Sequence, residues 1–423
     1  MVSSLSMTRA ARFMRRPRVA KLSVLGIAAL AAACAGAPAL AQTPDASPVK
    51  IGMVLSKQGS FGDIGQEAAR GAMMAVDDLA GKVLGRPINV LWYDDPDPQT
   101  AQQNMSKLID SDKVVAILGG TNSASSLAES AVAKRGKTPT IIVIASAKEI
   151  TGRLCNRYTF RTYYAADVAS RALVPALAAK GKKWYFLMQN YAAGQDAYTS
   201  MKGALTKIGG EEVGYDKLPI GTADFSSYIL KIRQAAPDVV ALGLAGSDLS
   251  PFLKQYAQYG MKDKIPVGSP FMSETAIWSL DKSSVTGTYT ALWEADDPAN
   301  PPSERKFAEQ YKQKFGGQAT TVAWEGWHSM HAILSAIDSG KSTDAGSIVR
   351  QMETTKAHDR SIATYYRAWD HQFIHPLLIL DAHAPKKDKY DMLSITRSVP
   401  DKDADVDAVF GTQAEVGCQM GDL

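Results

Sequence analysis

The sequence predicts an α/β protein made of two similar, doubly wound lobes, and three observations carry that expectation. Short, nearly continuous apolar segments alternate with helical patterns, as parallel strands covered on both faces do. The chain exceeds the length at which a single hydrophobic core keeps growing, so two domains are expected. One stretch of the first half, "VAILGGTNSASSL" from Val115, resembles "VVALGLAGSDLSPFL" from Val239: each is an apolar strand, a Gly-containing loop with Ser, and the start of a helix.

The elements follow in order. Residues 49–55 are apolar, end in the loop 56–62, and read as a buried strand. From Asp63 the period changes: Ile64, Ala68, Ala72, Ala75, Val76 and Leu79 recur at three- and four-residue steps up to Gly81, which predicts an amphipathic helix. The alternation then repeats, with strands at 88–93, 114–118, 140–144 and 158–162 and helices at 100–110 and 123–135. A second set has helices at 169–180, 195–208, 225–235 and 250–259, and strands at 184–188, 212–218, 239–244 and 265–267. Past Thr288 the order is less regular: helices at 303–315, 321–339 and 345–354 precede an extended stretch, 365–380. Only the run 296–302, "DDPANPP", is a clear Pro-rich connection. With no single boundary linker, the chain is expected to pass repeatedly between the lobes.

Residues 1–41 read as an export leader. Arg9, Arg12, Arg15, Arg16, Arg18 and Lys21 precede an apolar run, 22–33, and Ala39-Leu40-Ala41 forms a cleavage site. The apolar run is too short for a span, which needs about 20 residues. Two variants of the export reading are a lipoprotein site ending at Cys34 and a twin-Arg signal at Arg15-Arg16, the latter poorly fitted by Pro17 and Arg18. The leader holds six of the 47 Lys and Arg and none of the 43 Asp and Glu, so the remainder has a net charge of about −2. No basic patch argues for nucleic acid. Without Cys34, two cysteines remain, Cys155 and Cys418. An oxidising compartment favours their pairing, with two separate buried thiols as the alternative.

Among candidate sites, "ILGGTNSASS" from Ile117 runs from a strand through two glycines into small hydroxyl residues. Gly119 and Gly120 let the backbone approach a ligand, and Thr121 or Asn122 can cap the helix that begins near Ser123. The free N–H groups and positive end of such a helix attract a carboxylate or phosphate, with Ser123 and Ser125 offering hydroxyls; a cap that binds nothing is the plainer reading. The loop is neither a P-loop nor a nucleophile elbow. Ala145-Ser146-Ala147 ends the next strand, where ligands gather in open parallel sheets. Asp94-Asp95-Pro96-Asp97-Pro98 reads as a turn with Asp caps rather than a cation site. His328-x-x-His331 and His371-x-x-x-His375 have metal-like spacing, but only Asp370 adds a further ligand, so no metal is expected. Trp324, Trp327, Met330 and Ile333 at helical spacing read as core.

Five motifs then occur in order over the chain that follows the leader: "VKIGMVLSKQGSFGDIGQEAARGAMMAVDDLAG", "INVLWYDDPDPQTAQQNMSKLI", "VVAILGGTNSASSLA", "ASAKEIT" and "YTFRTYY". Together they resemble the type I solute-binding proteins of ABC importers, in the group around the branched-chain amino-acid receptors. The resemblance implies the periplasmic binding protein type I architecture, two Rossmann-like lobes joined by three crossovers with ligand trapped between them. The crossovers are then expected after Phe160-Arg161-Thr162, near 286–292, and near Asp370. That places an N-terminal lobe at 49–162 and 293–370 and a C-terminal lobe at 163–292 and 371–423. By motif, Phe61 lines the ligand, Ser123 meets its carboxylate, Ala145 and Ser146 form the second contact loop, and Tyr191 is an aromatic from the far lobe. Tyr163 is expected beside them. No cofactor is implied; the partners are a small carboxylate and permease subunits in the inner membrane, with a periplasmic location.

One departure bears on the ligand. Amino-acid receptors hold the ammonium with an acid of the far lobe, but "GSPFMSETA" from Gly268 has Pro270 and Phe271 there. Asp248 and Glu274 are the nearby acids that could take its place, and Asp248 and Phe271 are expected in the site. A carboxylate site without an ammonium partner favours an acid that is not an α-amino acid, aromatic or short and aliphatic, because an unpaired buried charge is costly. The alternatives are a branched-chain or other amino-acid receptor, a ligand-sensing subunit, and an enzyme on a doubly wound fold, for which no acid–base pair is convincingly placed.

Overall fold

The computed structural model describes residues 47–423. The expected leader, 1–41, with Cys34, lies outside the described residues. The chain alternates as its apolar pattern requires: β1 (Val49–Val54), α1 (Gly62–Asp78), β2 (Lys82–Val83), β3 (Arg86–Tyr93), α2 (Pro98–Lys107), β4 (Ala116–Gly119), α3 (Ser123–Gly136), β5 (Thr140–Ile142) and β6 (Thr159–Arg161). These strands form one sheet in the order β2-β3-β1-β4-β5-β6. In register, Val54 lies opposite both Tyr93 and Gly119. The loops that follow β3, β1 and β4 therefore leave the sheet side by side at its carboxyl edge, where ligands bind in such sheets.

The second half continues with α4 (Ala166–Ala178), β7 (Lys183–Gln189), α5 (Ala192–Lys207), β8 (Glu211–Leu218), α6 (Ser226–Ala235), β9 (Val239–Gly243), α7 (Leu249–Gln258), β10 (Val267–Ser269), α8 (Glu274–Trp278) and β11 (Thr288–Ala291). The chain then returns to the first lobe as α9 (Pro302–Phe315), α10 (Thr321–Gly340), α11 (Ala345–Thr354), and the short strands β12 (Lys356–Ala357), β13 (Thr364–Tyr366) and β14 (Phe373–Ile374). It ends with β15 (Leu377–Ala382), β16 (Leu393–Val399), α12 (Val406–Phe410) and α13 (Gln413–Val416). The second sheet runs β16-β15-β11-β10-β9-β7-β8, parallel from β11 to β8 and antiparallel at β15 and β16. No helix among the described residues is long and apolar enough to cross a membrane.

The lobe boundaries differ in detail from the spacing of motifs. The third passage to the second sheet falls between Ile374 and Leu377 rather than near Asp370, because β14 pairs with β13 and Gln372 bridges to Arg161 at the edge of the first sheet. Of the stretch 371–423, only β15 and β16 pair within the second sheet. The tail beyond them buries Val409 and Phe410 in the core cluster that contains Phe160 and Trp324, and ends in the disulfide Cys155–Cys418, Cα atoms 5.7 Å apart.

The first lobe's core centres on α1 crossing α10. A Cβ placed on Gly71 would sit 1.7 Å from the Ala323 carbonyl, and one on Gly326 would sit 2.0 Å from that of Ala68. The two glycines let the backbones touch. Trp293 and Trp324 stack beneath, with centroids 6.2 Å apart.

Candidate functional site

A cleft between the lobes gathers the loops at the two carboxyl edges. The first lobe supplies Phe61, Ile64, Thr121, Asn122, Ser123, Ile144, Ala145, Ser146, Tyr163, Thr321 and Val322; the second supplies Tyr191, Leu244, Ala245, Gly246, Leu249, Phe271, Met272 and Ser273. Phe61, Ser123, Ala145, Ser146, Tyr163, Tyr191 and Phe271 thus meet across one space. Asp248 does not line it, and no lining side chain is charged.

Local sequence explains the polar face. Gly120 adopts φ 87°, which favours glycine, and a Cβ there would lie 2.5 Å from the Ile142 side chain. Asn122 follows in extended conformation as the N-cap of α3, its side chain accepting from the Ser125 N–H at 3.0 Å. Ser123 is then the first helical residue, where backbone N–H groups have no partner within the helix. The hydroxyls of Ser123, Ser146 and Tyr191 make no hydrogen bond with any described residue, although Ser123 and Ser146 are buried. Tyr163 is engaged: it donates to the Tyr164 hydroxyl at 2.7 Å, and Tyr164 donates to the Thr290 carbonyl at 3.0 Å. Burial pushes the phenols of Tyr163 and Tyr191 well above their usual range, so both are neutral donors.

The nearby acids turn away from the cleft. Asp248 accepts from Gln189 Nε2 at 2.6 Å and from the Gly221 and Thr222 amides at 2.9 and 3.3 Å. Glu274 accepts from the Thr321 amide at 2.7 Å, at the N-terminus of α10, and burial pushes its carboxyl up to about 8. His331 goes to Asp78 and His371 to Glu353, while His328 and His375 flank Trp324 in the core.

Asp97 caps α2 as its turn sequence suggests, accepting from the Gln99 and Thr100 amides. Its neighbour Asp95 is fully buried and binds Ser56 and Thr121 beneath the cleft, a role that a turn reading misses. Leu244, Ala245, Gly246 and Leu249 were also missed. The likeness of the Val115 and Val239 stretches could have found them, since it sets the loop after β9 beside the loop after β4.

The cleft's free volume is about 60 Å³, enough for a few water molecules. The larger cavity, about 520 Å³, lies beside the third crossover, where its charges pair with one another: Arg367 with Asp370, Lys148 with Asp196, and Arg153 with Glu149. The uncharged cleft, with hydroxyls left open, is the better ligand site of the two.

Comparison with known proteins agrees with the two-lobed fold. The family described as "Periplasmic binding protein" matches residues 48–388. A Leu/Ile/Val-binding protein homolog of Brucella abortus (strain 2308) is 25% identical over 322 residues, 73% of this chain and 80% of that protein. A periplasmic binding protein from Burkholderia mallei superposes with a TM-score of 0.81 at 24% identity, over 89% of this chain and 100% of the other. A solute binding protein of an ABC transporter from Rhodopseudomonas palustris BisB5, solved with 3,4-dihydroxybenzoic acid, gives 0.76 at 23% identity, over 83% and 96%.

Proposed function

The chain belongs to the periplasmic binding protein family, and from that premise we propose that it captures a small non-amino carboxylate in the interlobe cleft and delivers it to an ABC permease in the inner membrane. A leader at 1–41 would export it to the periplasm. One observation carries the choice of ligand: the cleft has open hydroxyls at Ser123, Ser146 and Tyr191 and the start of α3, but no charged side chain, its two nearest acids being held by protein donors. A carboxylate finds N–H and O–H donors on the first lobe. An ammonium would be buried against Phe271, Met272 and Leu249 without a counter-charge, which is costly.

The remaining walls are apolar and aromatic, which suits a short aliphatic chain or a ring. The R. palustris receptor's aromatic acid supports the ring, and the close walls support the short chain. No covalent step is involved. Binding energy shifts an open–closed equilibrium, to the extent that ligand touches both lobes only when they are closed. Calorimetric titration with benzoate, butyrate and leucine tests the reading. Benzoate or butyrate is expected to bind and leucine to bind weakly or not at all. Leucine binding more tightly than either acid would transfer the assignment to an amino-acid receptor, as the name of the Brucella relative suggests.

A further inference from the structure

Two buried aspartates behind the cleft each tie three strand ends together, although neither lines the cleft. In the first lobe Asp95 follows β3. Its Oδ1 accepts from the Ser56 hydroxyl, after β1, and its Oδ2 accepts from the Thr121 amide, after β4, at 3.1 Å. The Asp95 carbonyl accepts from Asn122 Nδ2 at 3.4 Å and the Ser125 hydroxyl at 3.3 Å, and the Ser56 amide donates to Thr121 Oγ1 at 2.8 Å. Three adjacent strand ends, β3, β1 and β4, are thus tied through one carboxylate.

In the second lobe Asp248 follows β9. Its Oδ2 accepts from Gln189, the last residue of β7, and from Gly221 and Thr222, after β8. Gln189 completes the tie by accepting from the Ala245 amide at 2.8 Å. Here too three adjacent strand ends, β9, β7 and β8, meet at one carboxylate. The aspartate comes from opposite flanks in the two lobes, after the second strand of the first set and after the third strand of the other. Simple repetition of one motif does not account for the match.

We propose that Asp95 and Asp248 are the positioning residues of this receptor, each tying together three strand ends of its lobe and so fixing the two of those loops that face the cleft, after β1 and β4 in the first lobe and after β7 and β9 in the second. The loops they hold carry Phe61, Asn122 and Ser123 on one side and Ala245, Gly246 and Leu249 on the other. The two half-sites abut where Gly246, at φ 63°, comes so near the Ser60 carbonyl that a Cβ would sit 2.6 Å from it. So close a meeting requires loops that do not rearrange as the lobes shut, because ordering them at that moment would subtract from affinity. Two buried aspartates, each engaging several donors, supply that rigidity.

The test uses Asp95→Ala and Asp248→Ala in the exported chain, with Asp95→Asn and Asp248→Asn as milder variants should either alanine form fail to fold. Amide hydrogen exchange without ligand is the first readout and does not depend on the proposed ligand. In the Asp95 variants, exchange is expected to quicken at 56–62 and 120–126 and stay unchanged at 220–223 and 245–249; the Asp248 variants should show the reverse. Titration with benzoate and butyrate is the second readout and rests on the receptor reading. Each alanine variant is expected to weaken whichever acid binds wild type by tenfold or more, with asparagine intermediate because it keeps one acceptor oxygen. Exchange that is unchanged, or that quickens across a whole lobe, would overturn the proposal. Wild type ignoring both acids while the exchange pattern holds would count against the ligand class alone.

Discussion

Ser123 stands at the first position of α3 with a hydroxyl that no described residue engages. If that hydroxyl meets a ligand carboxylate, Ser123→Ala removes a hydrogen bond to a charged group and weakens binding by about 1–3 kcal/mol. The melting temperature without ligand should hardly move, because Asn122, not Ser123, caps the helix. Titration of the variant beside wild type checks this; equal affinities would reduce Ser123 to a helix start. Its place at the start of α3 was legible in the sequence because the cues are local: a strand, two glycines, a cap and a helix. Asp95 was not. "DDPDP" has the composition of a turn, and Asp97 does cap one, but what Asp95 binds comes from loops 39 and 26 residues away. Asp248 shows the opposite failure. Its nearness to the site could be read from the likeness between the two halves, but its orientation depends on Gln189 and Gly221, which only the folded sheet brings beside it.

Among the elements, α10 shows how far periodicity reaches. Its length and apolar stripe are plain in the sequence, and Thr320 caps it by accepting from the Ala323 amide. Its partner is not plain, because the sequence treats Gly71 and Gly326 as weak points of their helices, whereas the fold uses them as the contact. Alanine at either position would drive a methyl into a carbonyl of the opposing backbone, which cannot swing aside as a side chain can. Gly71→Ala or Gly326→Ala is therefore expected to destabilise by about 3 kcal/mol or more, and each helix would gain only about 1 kcal/mol from propensity. Thermal or denaturant unfolding measures the balance; a neutral or stabilised variant would show that the helices can slide apart. The strands were legible where they alternate with helices. β14 was not separable from β15, since the same extended, apolar stretch serves two sheets and only pairing partners divide it.

Across the whole molecule, burial sets an unusual response to pH. Burial pushes Glu67, Asp95 and Glu304 up to about 7, and Glu274 to about 8. The folded chain therefore keeps protons that the unfolded chain releases above about pH 4, so stability falls progressively from there until the folded values of about 7 to 8 are passed. Burial also lowers His328, to about 3, and His371 and His375. These add a cost only below the ordinary histidine value of about 6.5, where the unfolded chain takes up the protons. Between pH 6.5 and 8.5 the acids act alone. The melting temperature is expected to fall across that window by several degrees, each group contributing up to about 1.4 kcal/mol per pH unit until its folded value is passed. Scanning calorimetry in buffers of matched ionic strength checks the slope; a rising melting temperature would mean that these carboxyls are ionised in the fold. The two-lobe architecture was legible from length and alternation; the family resemblance implied three crossovers but set the third near Asp370, whereas strand pairing puts it between Ile374 and Leu377. The charge balance of the interior was not, since nothing in the spacing of acids along a chain shows which of them the fold will enclose.

The bond between Cys155 and Cys418 closes a covalent circuit around 263 positions of sequence separation. All three passages between the lobes lie inside that circuit. A protease that cuts once anywhere within it, even at a crossover, leaves both pieces in one molecule, still joined through sulfur. Outside the cytoplasm, where thiols stay oxidised, a nicked receptor would thus keep both halves of its cleft, and only reductant would set them free.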